Sequence, residues 1–325
     1  MKPTFFIIIL LLFLVKNKQL TIPKENSNGI KGILALLIVL THCSTSYNEG
    51  HNDLTFFSNI GSIICSMFFF ISAYGLHSQE DKIRNTTFLN FLKNRIWKIL
   101  FPFIIIAVGY QILIIATGNF NLIELMNTLS KGDTILLLPN SWFVFTLIYL
   151  YILTFLSTRF KKNYIEIIFI FIMITAYILI TRNVLHWGNH WYSATYGYFF
   201  GVICKKNSLP IHKLNIWRIG AVIALILIYI YWPYRNLLII ITPSYLSLIL
   251  VWGICSLPIN KVYHKLSYLN KISYEIYLSQ GYALTLFFKN FEGNIIIYLL
   301  SVYGVTLLLA STYYYIYKNI IKLNL

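Results

Sequence analysis

Charged side chains are scarce in this sequence, and acidic ones are the scarcest. Only 11% of its 325 residues are charged, and Asp and Glu together number 10, whereas a soluble domain carries about 25% charged residues. Glycine and proline, with 16 and 8 residues, are too few for a fibrous repeat. Since 58% of the residues are hydrophobic, this composition excludes a disordered chain and an ordinary soluble enzyme, and it leaves a polytopic membrane protein.

Cysteines and the common catalytic motifs are equally sparse. The four cysteines form no CxxC pair, and all lie in or beside apolar runs, which is typical of small buried side chains rather than of a disulfide framework or a metal site. The sequence has no GxSxG, Walker A or Rossmann motif. Its function therefore does not depend on those nucleophile or nucleotide-binding motifs.

Apolar runs of membrane-spanning length recur along the whole chain. They predict an all-α, polytopic integral membrane protein with about ten core transmembrane helices and one extra N-terminal hydrophobic helix. The predicted spans are 4–16, 30–48, 57–77, 99–117, 141–158, 164–181, 191–204, 219–234, 236–256, 272–288 and 295–317. Residues 1–29 are interpreted as the N-terminal helix with a cytoplasmic linker, and residues 30–325 as one membrane domain. No small-x-small cleavage site follows the first run, which favours a retained helix over a signal peptide.

Basic residues give the chain a net charge of +16. They punctuate the apolar runs instead of clustering with aromatics on a polar surface, so the pattern indicates membrane topology rather than nucleic-acid binding. Most of the 26 Lys and Arg fall in alternate loops, and the positive-inside rule makes those loops cytoplasmic. We therefore expect a multi-pass protein of the plasma membrane, with residues 78–98 cytoplasmic and the loop 118–140 external.

His42 is the leading candidate for a catalytic side chain, because ionisable groups inside a bilayer are costly and usually functional. Lys31 precedes it by eleven residues, so the two share a helix face with about 16 Å of rise between them. A cation at the cytoplasmic mouth could hold a phosphorylated donor, and an imidazole further in could act as a base or an acyl acceptor. The pantetheine arm of coenzyme A is an extended chain whose length is comparable to the rise between Lys31 and His42.

Two further sites carry charge where a helix begins. Arg95 and Lys98 are three residues apart, so they are neighbours on a helix and suit phosphate groups; the alternative is a plain positive-inside signal. Glu275 is an acid just inside an apolar helix, where it could pair with a buried cation or orient His42. The alternative for Glu275 is a side chain that reaches back to the interface.

A histidine pair lies in a short loop between predicted spans. His186 and His190 have the i, i+4 spacing of metal ligands, but no third ligand accompanies them. We therefore expect no metal site. We interpret the two histidines as polar loop residues near an acceptor, and we expect both to tolerate replacement.

Six segments resemble, in order, the motifs of the membrane acyltransferase-3 family, the multi-span O-acyltransferases of bacterial surface glycans. Residues 31–42 resemble its opening motif of a basic residue, ten residues and a histidine, with Lys31 in place of the usual Arg. Lys98 likewise replaces an Arg in the third segment. The segments are 31–42 (KGILALLIVLTH), 68–76 (FFFISAYGL), 91–102 (FLKNRIWKILFP), 140–143 (NSWF), 191–201 (WYSATYGYFFG) and 272–281 (ISYEIYLSQG).

This resemblance implies roles for individual residues. His42 matches the residue regarded as essential for acyl transfer, and Lys31, Arg95 and Lys98 match basic positions that handle the acyl-CoA donor. Further residues are expected to line or brace the pore, and Glu275 is taken as a catalytic candidate with His42. The expected lining residues are Ser72, Tyr74, Trp142, Tyr274 and Gln280.

The expected function is transfer of an acyl group, acetyl above others, from cytoplasmic acetyl-CoA to a hydroxyl of an extracytoplasmic glycan or lipid-linked sugar. No metal is expected. His42 could be a general base or a covalent carrier of the acyl group. The rival functions are a polysaccharide polymerase or flippase, which needs no CoA-sized cation site, and a non-catalytic sensor or scaffold, which would tolerate loss of His42.

Overall fold

The computed structural model describes residues 22–47, 54–118, 121–123, 126–127, 138–206, 242–251, 266, 269–287, 291 and 293–323. All regular elements in these ranges are helical, which confirms the predicted all-α class. The main helices are α1 (Lys24–Ser46), α2 (Gly61–His77), α3 (Glu80–Arg84), α4 (Trp97–Ala116), α5 (Trp142–Ser157), α6 (Asn163–Leu179), α7 (Tyr196–Lys206), α8 (Thr242–Val251), α9 (Ser273–Tyr282) and α10 (Ile295–Leu323).

Four helical stretches are long and apolar enough to cross a membrane: Lys24–Ser46, Phe88–Ala116, Asn163–Val184 and Ile295–Asn319. Three shorter apolar helices, α2, α5 and α8, accompany them. The predicted spans 4–16 and 219–234 lie outside the described residues, as does most of the loop 118–140. The described residues thus support a membrane protein with several spans and do not establish the predicted count of ten.

The first span begins earlier than the sequence suggests. Helix α1 starts directly after Pro23 and runs through the polar residues that precede the predicted boundary at residue 30. Proline at a helix start loses no hydrogen bond, because the first amides of a helix have no partner within it. Lys31 therefore lies two turns inside α1, about 10 Å from its start, and the helix continues through the polar residues on the N-terminal side of Lys31.

Three π-helical turns interrupt the regular geometry, at Leu92–Ile96, Ile180–Val184 and Ala283–Phe287. Such turns are rare and often occur at functional sites. The first carries Arg95 and leads into α4, which also holds Pro102. The third directly follows α9, which contains Gln280 and Gly281.

A buried cluster, which we call the charge clamp, joins four helices at one end of the bundle. The Lys206 ammonium pairs with Glu166 at 2.5 Å and also with Glu80. His77 Nδ1 lies 3.2 Å from Glu166 Oε1, and Arg84 pairs with Glu80. Since these five residues come from α2, α3, α6 and α7, the clamp holds the four helix ends together.

Further contacts gather basic loops around the charge clamp, and we call this region the basic end. Arg84 Nε donates to the Thr158 carbonyl at 2.8 Å, and Arg159 Nη2 donates to the Thr86 carbonyl at 2.7 Å. Lys205 Nζ lies 5.5 Å from the centre of the Tyr74 ring. The loops that the charge pattern predicts to be cytoplasmic after α2, α5 and α7 therefore meet at one end.

Helices α2 and α7 are in backbone contact through two glycines. A Cβ on Gly197 would overlap the Ser66 side chain and carbonyl, and one on Gly201 would overlap the Phe70 carbonyl. The glycines are four residues apart, so they lie on one face of α7. Small residues at this spacing are how membrane helices approach closely.

We expect Gly201→Ala to lower the thermal stability of the detergent-solubilised protein, because its methyl group meets backbone that cannot move aside. Overpacking of this kind costs about 1–3 kcal/mol. The matched control is Gly304→Ala in α10, where no atom lies within 4 Å of the added Cβ and where alanine favours the helix by about 0.5–1 kcal/mol. Equal melting temperatures for the two variants, measured by size-exclusion chromatography after heating, would contradict the close contact.

Candidate active site

Lys31 and His42 lie on one uninterrupted helix, α1, as the sequence predicts. Both side chains are half-buried, and the rise between them is about 16 Å. Within the described part of the chain, the Lys31 ammonium has no ion pair and no hydrogen bond. Gly32, next to Lys31, lets the segment around Leu269 come close, since a Cβ there would lie 2.9 Å from the Leu269 Cβ.

A cavity of about 430 Å³ opens at the basic end. Two of the predicted donor-binding residues, Arg95 and Lys98, line it, together with a third cation, Lys82, that the sequence did not single out. The remaining lining residues are Ile83, Thr86, Phe91, Asn94, Ile99 and Tyr151. Cations, an amide and hydroxyls around one cavity can bind an anionic ligand of several phosphates.

Arg95 is held in place at the rim of this cavity. Its Nη2 donates to Gln79 Oε1 at 2.5 Å, and Gln79 directly precedes Glu80 of the charge clamp. The Tyr151 side chain interacts with Ser72 on one side and with the charge of Arg95 on the other. The structure thus links the predicted residue Ser72 to the cavity through a tyrosine that sequence spacing could not reveal.

Tyr74 and Tyr274 brace the same end. The Ile22 amide donates to the Tyr74 hydroxyl at 3.2 Å, which ties the start of α1 to α2. The Tyr274 hydroxyl donates to the carbonyl of Ile99, a lining residue of the cavity, at 2.9 Å. Both predicted residues therefore support the walls of the site through backbone contacts.

Glu275 lies in a different environment from the one expected. Its side chain is buried and interacts with the hydroxyl of Tyr317, near the end of α10. Across the described ranges, no ion pair or hydrogen bond joins Glu275 to His42 or to a cation. The structure thus gives no support to the predicted pairing of Glu275 with His42, and it places the acid one residue from Tyr274.

Gln280 is fully buried, and neither its amide nitrogen nor its amide oxygen has a hydrogen-bond partner among the described residues. The adjacent Ser279 hydroxyl is also buried and has no hydrogen-bond partner among the described residues. An unsatisfied buried polar group costs about 1–3 kcal/mol, so the Gln280 amide is a candidate to bind a polar group of a substrate. Three residues before Gln280, the Tyr277 hydroxyl donates to the Asn140 carbonyl at 2.8 Å. Asn140 lies just before the start of α5.

Trp142 and His190 are neighbours. Trp142 opens α5, and its ring centre lies 5.6 Å from that of His190. His190 is half-buried, whereas His186 is exposed, with a backbone φ of 52°. The two histidines of the loop therefore lie in different environments, and His190 packs near the predicted site residue Trp142.

Among the residues that the structure describes, His77, Glu80 and Glu166 of the charge clamp form a cluster with the composition of a metal site. The Lys206 ammonium already lies between its two carboxylates. This amine supplies the positive charge that a metal ion would bring, so the geometry is that of a structural ion-pair cluster.

Comparison with known proteins agrees with this geometry. A model of the acyltransferase-3 family, described as an acyltransferase domain, matches residues 25–315. That range contains every predicted site residue, from Lys31 to Gln280. No curated protein and no solved structure matches.

We expect Gln280→Leu to keep or raise thermal stability while it lowers acyl transfer. An apolar side chain of similar size removes two buried groups without partners, whereas a substrate would lose its hydrogen bonds. Thr306→Val is the matched control, since Thr306 Oγ1 is also buried without a partner among the described residues but belongs to no predicted site. Thermal melting and the ester content of surface glycans are the two measurements. Full activity of Gln280→Leu would contradict a role in binding.

Proposed function

Because the chain belongs to the acyltransferase-3 family, we propose that it transfers an acetyl group from cytoplasmic acetyl-CoA to a hydroxyl of an extracytoplasmic glycan. The observation that carries the proposal is the arrangement of cations and histidine: a cation-lined cavity at the basic end, Lys31 two turns inside α1, and His42 a further 16 Å or so along the same helix. The family match and the apolar helices support an acyltransferase of the membrane.

The basic end is suited to the nucleotide part of the donor. Coenzyme A carries three phosphate groups, and Arg95, Lys98 and Lys82 line one cavity. Arg95 can make a two-pronged contact with phosphate, whereas the lysines act as point charges. Lys31, two turns inside α1 and without an ion pair among the described residues, can attract a further negative charge of the donor.

The reactive thioester is then expected near His42. The pantetheine arm is an extended chain with a length comparable to the rise between Lys31 and His42. In the reaction the acceptor hydroxyl oxygen attacks the acyl carbon, the bond to sulfur breaks, and the thiol leaves with a proton. His42 serves this reaction either as the base that takes the hydroxyl proton or as the carrier of the acyl group.

The rival functions account for less of the structure. A flippase or polymerase has no need of a cytoplasmic cavity with three cations, and neither rival explains a family match over residues 25–315. A scaffold has no need of the cation-lined cavity either. Acyl transfer accounts for these features together.

We expect Arg95→Ala and Lys98→Ala each to weaken acetyl-CoA binding by about tenfold or more, because a charged hydrogen bond contributes about 1.5–3 kcal/mol. Lys93→Ala is the matched control: Lys93 is exposed on the same helical turn but does not line the cavity. Binding to purified protein should also fall as salt rises. If all three variants bind acetyl-CoA like the wild type, the donor site lies elsewhere.

We expect His42→Ala and His42→Gln to abolish glycan acetylation in cells, with a loss of about 10²–10⁴-fold for a missing general base. The amide of glutamine can form a hydrogen bond but takes no proton near neutral pH, so it should not rescue activity. The exposed His186→Ala is the control. O-acetyl esters are counted by mass spectrometry at matched protein levels, and near-normal acetylation by His42→Ala would refute the catalytic role.

A further inference from the structure

Gln79 is held at both ends of its side-chain amide. Its Oε1 accepts a hydrogen bond from Arg95 Nη2 at 2.5 Å, and its Nε2 donates to the Gly75 carbonyl at 3.4 Å. The backbone amide of Gln79 donates to the Leu76 carbonyl at 2.9 Å, just after the end of α2. These bonds fix the side chain with its oxygen towards the guanidinium of Arg95.

The charge clamp holds the backbone on both sides of Gln79. Two residues earlier, His77 contacts Glu166. The next residue after Gln79 is Glu80, which pairs with Lys206. Gln79 itself is exposed, and an exposed hydrogen bond adds little to folding stability because water competes for both groups. What its bond to the guanidinium provides is therefore orientation rather than stability.

The guanidinium of Arg95 keeps most of its hydrogen-bond donors. Arginine has five N–H groups, and Gln79 accepts from one of them. Within the described ranges Arg95 forms no other hydrogen bond and no ion pair, so the other groups remain for a ligand in the cavity that it lines. A guanidinium binds phosphate through two parallel N–H bonds. A neutral amide can orient it for this contact without cancelling its charge, which an acidic side chain would do.

We propose that Gln79 is a positioning residue for the donor, which sets the plane of the Arg95 guanidinium so that this group binds a phosphate of the nucleotide part through two hydrogen bonds. This inference rests on the proposed function. A side chain that is already ordered loses little freedom when the ligand binds, whereas a free arginine loses more. Both ends of the Gln79 amide are bonded within the protein, so Gln79 acts through Arg95.

The test compares the purified full-length wild type with Gln79→Ala, Gln79→Glu, Arg95→Ala and the double variant Gln79→Ala/Arg95→Ala. Ser78→Ala is the matched control, because Ser78 is the exposed neighbour of Gln79 and does not line the cavity. The Ser78 hydroxyl donates to the Tyr74 carbonyl at 2.7 Å. Acetyl-CoA binding is titrated at several salt concentrations, and thermal melting is followed by size-exclusion chromatography after heating.

We expect Gln79→Ala to weaken acetyl-CoA binding by about two- to tenfold, which is the cost of ordering one long side chain on binding, at an unchanged melting temperature. It should cause no further loss once Arg95 is alanine, because it acts through that side chain. Gln79→Glu should weaken binding more than Gln79→Ala and reduce its salt dependence, since the carboxylate pairs with Arg95 and competes with the phosphate. Ser78→Ala should bind as the wild type does.

Three results would overturn this inference alone: wild-type affinity of Gln79→Ala, the same loss from Gln79→Ala with and without Arg95, or a lower melting temperature of Gln79→Ala. In each of them, weaker binding by Arg95→Ala would still support the proposed donor site. A wild type that binds no acetyl-CoA would overturn the proposed function, and this inference with it.

Discussion

A single ammonium group shared by two carboxylates underlies the geometry of the basic end. Lys206 lies between Glu80 and Glu166, and its side chain is only 4% exposed. Without it the two acids would repel each other in a poorly solvated place, and removing one partner of a buried pair costs about 3–5 kcal/mol. Gln79 directly precedes Glu80 and accepts from Arg95. The charge clamp thus helps to position Arg95 at the rim of the cavity.

The helices were largely predictable from the sequence because apolar runs report directly on membrane-spanning segments. The runs at 164–181 and 295–317 fall within long helices of the structure, and the run at 99–117 ends one residue past another. The start of α1 was not predictable in this way. Hydropathy registers only apolar residues, whereas the helix continues through the polar turns after Pro23. Lys31 consequently lies within the helix rather than at its first turn.

The site was predictable where neighbours in sequence are neighbours in space. Arg95 and Lys98 line one cavity because three residues make nearly one helical turn. Lys82 and Tyr151 reach that cavity from distant parts of the chain, so no spacing rule could include them. The same limit explains Glu275, whose partner Tyr317 is on another helix, and His190, whose position depends on Trp142.

The glycine contact between α2 and α7 has a mechanical consequence. Helices that touch through their backbones cannot slide without a clash, so α2 and α7 behave as one rigid body. Helix α7 runs from Tyr196 to Lys206, so this rigid body carries a member of the charge clamp at its end. A change in the shape of the bundle therefore falls to helices outside this pair.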